Sequence, residues 1–216
     1  MKNIYRNSFY NLNKAKRILE KNQILALPTE TVYGLAGNAY SHKSVKRIYS
    51  LKKRPQKNPL IIHYFNLELL KKDAEYDKNF LRLYKKFSPG PLTYILKKKK
   101  KSKVSKFANA KLKTIAVRFP KNKIIRSLLK KLTFPLAIPS ANISTGVSPT
   151  EPLDVVDEFK NKIKFILNGG KSLIGLESTV INLSSKPAIL RPGSISHTQI
   201  EKVLGKKVSN VTKSKF

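Results

Sequence analysis

The 216-residue sequence contains no cysteine, which excludes a disulfide framework and a cysteine-ligated metal centre. It also lacks any run of about 18 apolar residues, the length that a helix needs to cross a bilayer. Residues 1–13 are polar and do not show the apolar segment of a secretory signal. We therefore expect a soluble, cytoplasmic protein with no membrane partner.

Acidic residues are also scarce, since 12 Asp and Glu face 45 Lys and Arg, for a formal net charge of +33. One interpretation is an RNA partner, because clustered cations bind polyanions by releasing counterions, and contact with tRNA would fit. The other is a biased composition, because lysine, asparagine and isoleucine are all abundant. The lysines are spread along the whole chain, which favours bias as the main origin, although such a charge favours RNA contact in either case.

The length and the apolar content suit one sizeable domain that needs no crosslinks. Hydrophobic residues make up 40% of the chain and aromatic residues 9%, which is ordinary for a globular core. No internal repeat or linker divides the sequence. We expect a single domain over residues 1–205 and a basic C-terminal tail over 206–216.

The hydrophobic periodicity predicts short helices that alternate with short strands. The predicted helices are residues 11–22, 45–52, 80–87 and 198–204. The predicted strands are residues 24–27, 60–62, 92–96, 114–119, 136–138, 165–167, 179–183 and 188–190. Several strands follow one another without a crossover helix, which indicates antiparallel pairs and an α/β fold with a mixed sheet. The lysine run at 97–101 is predicted to be a solvated hairpin end.

Polar residues concentrate in five segments where the pattern would otherwise be apolar or loop-like. Each has a plain structural interpretation: Arg118 could be an edge cation, His63 a structural histidine, and Ser140 with Asn142 the cap of a turn. The five segments are residues 27–35, residues 52–63, residues 116–120, residues 139–142 followed by 146–150, and residues 177–180 with 190–193.

Eight short motifs occur in these segments and in the breaker run before the strand at 92–96. They are Pro-Thr-Glu-Thr-Val-Tyr-Gly-Leu, Lys-x-Arg-Pro, Pro-Leu-Ile-x-His, Ser-Pro-Gly-Pro-Leu-Thr, Val-Arg-x-Pro, Pro-Ser-Ala-Asn, Glu-Ser-Thr-Val and Leu-Arg-x-Gly. One tetrapeptide is weak support, but eight in order at compatible spacing are not expected by chance. Over about residues 10–205 the chain resembles the YrdC-like threonylcarbamoyl-AMP synthases, the TsaC family.

The resemblance implies a single YrdC-like domain, with a twisted mixed sheet, flanking helices and a basic concave cavity. It implies that L-threonine captures bicarbonate as a carbamate, which attacks the α-phosphate of ATP and expels pyrophosphate. The product, threonylcarbamoyl-AMP, would pass to a downstream threonylcarbamoyl transferase that modifies tRNA next to the anticodon. Mg²⁺ is expected with ATP, and no organic cofactor. A metal held mainly by phosphates needs few protein ligands, so no metal motif is expected.

The family's functional positions fall on residues of matching type in this sequence. The catalytic signature falls on Lys52, Arg54, Ser140 and Asn142. The threonine site falls on Thr31, His63, Arg118, Ile138 and Ser178. The ATP site falls on Arg54, Asn58, Thr114, Ser140, Ser148 and Arg191.

The charges of the implied substrates agree with these residue types. ATP, a carboxylate and a carbamate bring several negative charges together, and Lys52, Arg54, Arg118 and Arg191 supply cations. Displacement at phosphorus depends mostly on positioning and charge stabilisation, which agrees with the lack of an obvious nucleophile.

Two departures and two alternatives remain. Asn182 stands where many relatives have an acidic residue, and a chain of this length is expected to lack the C-terminal domain of the longer subtype.

The first alternative is an RNA-binding module without catalysis. The second is activity on carbamoyl phosphate, as in hydrogenase-maturation proteins, but those larger chains carry zinc-binding cysteines that this chain lacks.

Overall fold

The computed structural model describes residues 3–160 and 162–210. The helices are α1 (Phe9–Glu20), α2 (His42–Lys52), α3 (Leu67–Lys71), α4 (Lys78–Phe87), α5 (Lys123–Lys130), α6 (Pro152–Phe159) and α7 (His197–Leu204). The strands are β1 (Ile4–Arg6), β2 (Leu25–Leu27), β3 (Gly34–Asn38), β4 (Ile61–His63), β5 (Ala74–Glu75), β6 (Leu92–Lys98), β7 (Thr114–Arg118), β8 (Leu136–Ala137), β9 (Ile166–Asn168), β10 (Thr179–Asn182), β11 (Ala188–Arg191) and β12 (Ser209–Asn210). Within these ranges, no helix has the length and apolarity that crossing a membrane requires.

The strands form one mixed sheet in the order β1-β9-β2-β3-β8-β4-β7-β6-β10-β11-β12, with β5 added beside β6. Strands that follow closely in sequence pair antiparallel, as in β2 with β3, β6 with β7 and β10 with β11. Some strands from distant parts of the chain pair parallel, as in β4 with β7 and β6 with β10, whereas β8 pairs antiparallel with β3 and β4. The predicted α/β fold with a mixed sheet is confirmed.

Helices cover both faces of the sheet, each over its own apolar core. Along β2, Leu25 and Leu27 join one core while Ala26 joins the other, because successive strand residues point to opposite faces. The first core includes residues of α1 and α5, and the second includes residues of α2, α4, α6 and α7. The predicted flanking helices are therefore present on both sides.

Capping residues set the starts of helices that the periodicity placed too late. Helix α1 begins at Phe9 because the Ser8 hydroxyl accepts a hydrogen bond from the Asn11 amide, at 3.2 Å. Helix α2 begins at His42 in the same way, after Ser41. A polar side chain before an apolar stripe is a helix-start signal, so these boundaries could have been read from the sequence.

Several elements were not predicted. Helix α5 carries a helical apolar spacing and begins after Asn122, whose side chain accepts from two amides. Strand β3 contains two glycines, which disfavour a strand, yet it is held between β2 and β8. The unpredicted elements are α3, α5, α6, β1, β3, β5 and β12.

The basic segments at 97–101 and 206–216 are partly ordered by the sheet. Strand β6 runs on to Lys98, which pairs with Ala74, and only the residues after it leave the sheet. The lysine run is therefore a strand end and the loop that follows. Ser209–Asn210, within the segment expected to be a tail, pairs with β11, and residues 211–216 lie outside the described residues.

A buried carboxylate holds the loop after β6. Asp73 is fully buried, and its side chain accepts hydrogen bonds from the hydroxyls of Tyr40 (2.8 Å), Tyr64 (3.0 Å) and Ser102 (2.8 Å) and from the amide of Lys103 (3.1 Å). One acceptor group thus joins the two tyrosines to the lysine-rich loop.

We predict that Asp73→Ala lowers the free energy of unfolding by at least about 3 kcal/mol, because buried donors would lose their acceptor. Asp157→Ala, at an exposed position on α6, is the matched control and should change stability by less than about 0.5 kcal/mol. Urea denaturation of both variants measures the difference. Equal stability of the two variants would contradict the anchoring role of Asp73.

Candidate active site

A polar cleft opens where the ends of β4, β7 and β11 meet the segments 29–34 and 138–140. Its lining combines cations, hydroxyls and one imidazole with a few apolar side chains. The polar lining residues are Thr29, Thr31, Tyr33, Arg54, His63, Arg118, Ser140, Glu177, Ser178 and Arg191.

Arg118 is the most buried cation in this lining. It ends β7, is 3% exposed, and lies beside His63, since β4 and β7 pair in parallel register. Its guanidinium donates to Glu30 Oε1 (2.7 Å), Thr31 Oγ1 (2.9 Å) and the Gly90 carbonyl (3.3 Å). Arg118 is therefore a core residue held from three sides, and the interpretation as an edge cation is wrong.

Glu30 is the fixed partner of Arg118. Its second oxygen, Oε2, accepts from the amides of Lys121 (3.0 Å) and Asn122 (3.2 Å). Burial opposes ionisation, but the charge and the hydrogen bond of Arg118, together with backbone hydrogen bonds that include the Asn122 amide, lower the pKa of Glu30 below its usual value. No role was predicted for Glu30 from the sequence, although its place in the first motif could have signalled one.

His63 lines the cleft and has one buried ring nitrogen without a hydrogen-bond partner. The residue is 1% exposed, and its Nδ1 lies 3.3 Å from the Ile61 carbonyl, which can only accept a hydrogen bond. Nδ1 therefore carries the proton, and Nε2 offers a lone pair with no hydrogen-bond partner. Burial, followed by the charge of Arg118, lowers the pKa of His63 well below its usual value, so the ring is neutral.

Arg191 and Ser178 form the opposite wall. Arg191 donates through Nε (3.1 Å) and Nη2 (2.9 Å) to the Ser178 carbonyl, and Nη2 also reaches Ser178 Oγ (3.0 Å). Ser178 Oγ in turn lies 2.8 Å from Thr93 Oγ1. Gly193 permits this packing, because a Cβ there would lie 2.4 Å from the Thr179 amide. The geometry fixes one side of the Arg191 guanidinium.

Glu177 pairs with the other side of Arg191. Its Oε2 contacts Arg191 Nη1, and its Oε1 accepts from the Ser148 hydroxyl at 3.1 Å. Burial opposes ionisation, but Arg191 and the hydroxyls of Ser140 and Ser148 lower the pKa of Glu177 below its usual value. Glu177 is thus an ionised carboxylate within the cleft, and the sequence had assigned it no role.

Lys52 and Asn142 lie behind the cleft wall and not on its surface. Lys52 is 1% exposed, and its ammonium donates to the carbonyls of Ser140 (2.7 Å) and Asn142 and to Asn142 Oδ1 (3.3 Å). The Asn142 amide nitrogen donates to the carbonyls of Ile143 (2.9 Å) and Gly146 (2.6 Å). These contacts hold the loop that presents Ser140, which favours a positioning role for Lys52 and Asn142.

A second, more apolar cavity adjoins the cleft. The two cavities share Arg54 and Arg191, and the second is also lined by Asn58 and Thr114. Arg54 is held by the carbonyls of Asn58 and Pro59, each at 3.1 Å. The apolar lining residues of the second cavity include Ile95, Leu112, Ala116, Val180 and Leu190.

Most of the predicted site residues thus divide between the two cavities, but Lys52, Asn142 and Ser148 line neither, and Ser148 reaches the site through its hydrogen bond to Glu177. The five assigned to threonine line the first cleft: Thr31, His63, Arg118, Ile138 and Ser178. Among those assigned to ATP, Arg54 and Arg191 line both cavities, Ser140 the first, and Asn58 and Thr114 the second. Among the described residues no group of three or more His, Asp or Glu side chains could hold a metal.

The fold and the cleft define an α/β domain with a cationic, hydroxyl-rich cavity suited to anionic ligands. The family model for Sua5, YciO and YrdC, described as "Telomere recombination", matches residues 17–193. The chain therefore belongs to the Sua5–YciO–YrdC family.

The chain is similar in sequence to proteins named threonylcarbamoyl-AMP synthase. It is 43% identical to one from Pyrococcus abyssi and 40% identical to one from Bacillus subtilis, over 88% and 89% of this chain. Each match covers 56% of the relative, so the chain spans little more than half of their length.

Solved structures agree with this membership. The structure of Pyrococcus abyssi Sua5 complexed with L-threonine matches with a TM-score of 0.91 and 40% identity, over 99% of this chain and 64% of that one. Escherichia coli YciO matches with a TM-score of 0.80 and 26% identity, over 90% and 97%. The expected YrdC-like fold is confirmed.

The environment of Lys52 predicts a pH-dependent contribution to stability. Burial, followed by the charge of Arg54, lowers the pKa of Lys52 from 10.5 to about 8. Between these two values the unfolded chain binds more protons at this site than the folded one, so this site makes the protein more stable as the pH rises.

Relative to Lys52→Met, the wild type should therefore gain up to about 3 kcal/mol of stability from pH 8 to pH 10.5. Urea denaturation at several pH values measures the gain, and Lys100→Met, at an exposed position, is the control. An identical pH dependence in wild type and Lys52→Met would contradict a charged, buried ammonium.

Proposed function

We propose that this chain is an L-threonylcarbamoyladenylate synthase, which converts L-threonine, bicarbonate and ATP into threonylcarbamoyl-AMP and pyrophosphate. The observation that carries the proposal is that two adjoining cavities share Arg54 and Arg191. The names of relatives at 40% identity and above support it, as does the likeness to a Sua5 structure complexed with L-threonine.

The first cleft suits a threonine zwitterion. An arginine has five N–H donors, and Arg118 uses three of them on protein oxygens, which leaves two for a carboxylate. The free Nε2 of His63 accepts a hydrogen bond, so it suits the amine or the hydroxyl of threonine and not the carboxylate. The cleft thus offers hydrogen-bond donors for the carboxylate of an amino acid and an acceptor for its ammonium group.

The second cavity suits the nucleoside of ATP, because its apolar walls can cover a base. Arg54 and Arg191, at the boundary, would then meet the α-phosphate. A carbamate oxygen formed in the first cleft attacks that phosphorus, the bond to the bridging oxygen breaks, and pyrophosphate leaves. Fixed cations stabilise the negative charge that gathers on the phosphoryl oxygens in the transition state.

Magnesium enters this proposal as part of the MgATP substrate. The single carboxylate that lines the first cleft in the described part of the chain, Glu177, is paired with Arg191. This donor set fits an ion held mainly by triphosphate oxygens and water. We further propose that the enzyme works in the cytoplasm and passes its product to a threonylcarbamoyl transferase for tRNA modification.

We predict that release of pyrophosphate from MgATP requires both threonine and bicarbonate. The reason is that the attacking oxygen belongs to a carbamate that neither substrate can form alone. A coupled pyrophosphate assay with each substrate omitted in turn measures this, and serine in place of threonine is the control for substrate choice. Equal release without threonine would overturn the assignment.

We predict that His63→Ala raises the KM for threonine at least about tenfold and changes the KM for ATP by less than about twofold, because His63 lines only the first cleft. Thr114→Ala, in the second cavity, is the matched contrast and should show the reverse pattern. Steady-state titration of each substrate at saturating levels of the other separates them. Parallel losses for both substrates in either variant would contradict the division of the site.

A further inference from the structure

The two ion pairs of the cleft differ in how firmly they are held. In the Arg118–Glu30 pair the side chains are 4% and 5% exposed, whereas in the Arg191–Glu177 pair each is 35% exposed. Glu30 also accepts two backbone amides. In the described part of the chain, the hydrogen bonds that reach the Glu177 carboxylate come from side chains alone. Glu30 is therefore built into the fold, while Glu177 can move without breaking backbone contacts.

Arg191 can lose Glu177 and keep its position. Its Nε and Nη2 are held by Ser178, and only Nη1 points to Glu177. If the carboxylate leaves, the guanidinium stays anchored and Nη1 becomes free for another anion. Arg191 can therefore exchange the Glu177 carboxylate for the oxygen of another anion without moving.

The groups around Glu177 are residues that the family resemblance assigns to ATP. Arg191 and Ser148 contact the carboxylate directly, Ser140 lines the same cleft, and Ser140 and Arg54 help to lower the pKa of the carboxylate. Carboxylate and phosphate oxygens accept the same donors in the same geometry. The four groups therefore converge on one internal anion in the free protein.

We propose that Glu177 occupies the place of a substrate phosphate in the free protein and that ATP binds by displacing it from Arg191. This inference rests on the proposed function, because it takes the incoming anion to be ATP. Between binding events the carboxylate offsets the repulsion among the cleft arginines. The same carboxylate opposes ATP, since it competes for Arg191 and repels the triphosphate.

Glu177→Gln separates this role from a structural one. The amide keeps the size and an acceptor oxygen but loses the charge. We expect ATP to bind on the order of tenfold more tightly, since a like charge at contact range is removed. We also expect the ligand-free protein to melt at a lower temperature than the wild type. A residue that merely holds Arg191 in place would instead weaken ATP binding when changed.

The experiment is isothermal titration calorimetry of ATP into the full chain, with and without Mg²⁺, together with thermal melting of each ligand-free protein. Glu20→Gln is the control for net charge, because Glu20 pairs with Lys16 on the exposed side of α1. It should leave ATP affinity unchanged. In an Arg191→Ala background, Glu177→Gln should give a smaller gain, because part of its effect acts through that arginine.

The outcomes are distinct. Tighter ATP binding by Glu177→Gln, with a reduced gain when Arg191 is absent, supports the displacement. Unchanged or weaker binding overturns it, and weakening only with Mg²⁺ present would show instead that Glu177 is a metal ligand. If the wild type binds no ATP at all, the proposed function itself fails. If the wild type binds ATP and Glu177→Gln does not tighten that binding, the displacement alone fails.

Discussion

The mutual repulsion of cations gathered in one cleft is the constraint on which this structure depends. Arg54, Arg118 and Arg191 line the same cavity, in a chain whose formal charge is already +33. Two carboxylates, Glu30 and Glu177, lie in contact with two of these arginines. In a sequence with only 12 acidic residues, these two hold together a site that charge alone would push apart.

The remaining cations near the cleft are held by backbone carbonyls. Arg54 is bound by Asn58 and Pro59, and Lys52 by the loop of Ser140 and Asn142. Carbonyl dipoles satisfy the donors of a cation but leave its net charge in place. Arg54 therefore keeps a full charge for an anionic ligand, whereas the charge of Lys52 is used within the protein to fix a loop.

The sequence predicts the site better than it predicts the fold. The motifs predicted that residues from distant segments form one site. Thr31, His63 and Arg118, all assigned to threonine, do line one cleft. Their chemical roles stay predictions. Strand β3 could not have been predicted from its two glycines, since its stability comes from the neighbouring strands. Glu30 and Glu177 lay within the motifs, but their pairing with Arg118 and Arg191 depends on contacts between segments far apart in sequence.

The central claim is that the two cavities join a threonine-derived carbamate to the α-phosphate of ATP. Mass spectrometry of the nucleotide formed from isotope-labelled bicarbonate and differently labelled threonine tests it most directly. The account predicts one adenylate that carries both labels, and its loss in Arg54→Ala. AMP without either label, formed at the same rate as pyrophosphate in the first turnovers, would contradict it.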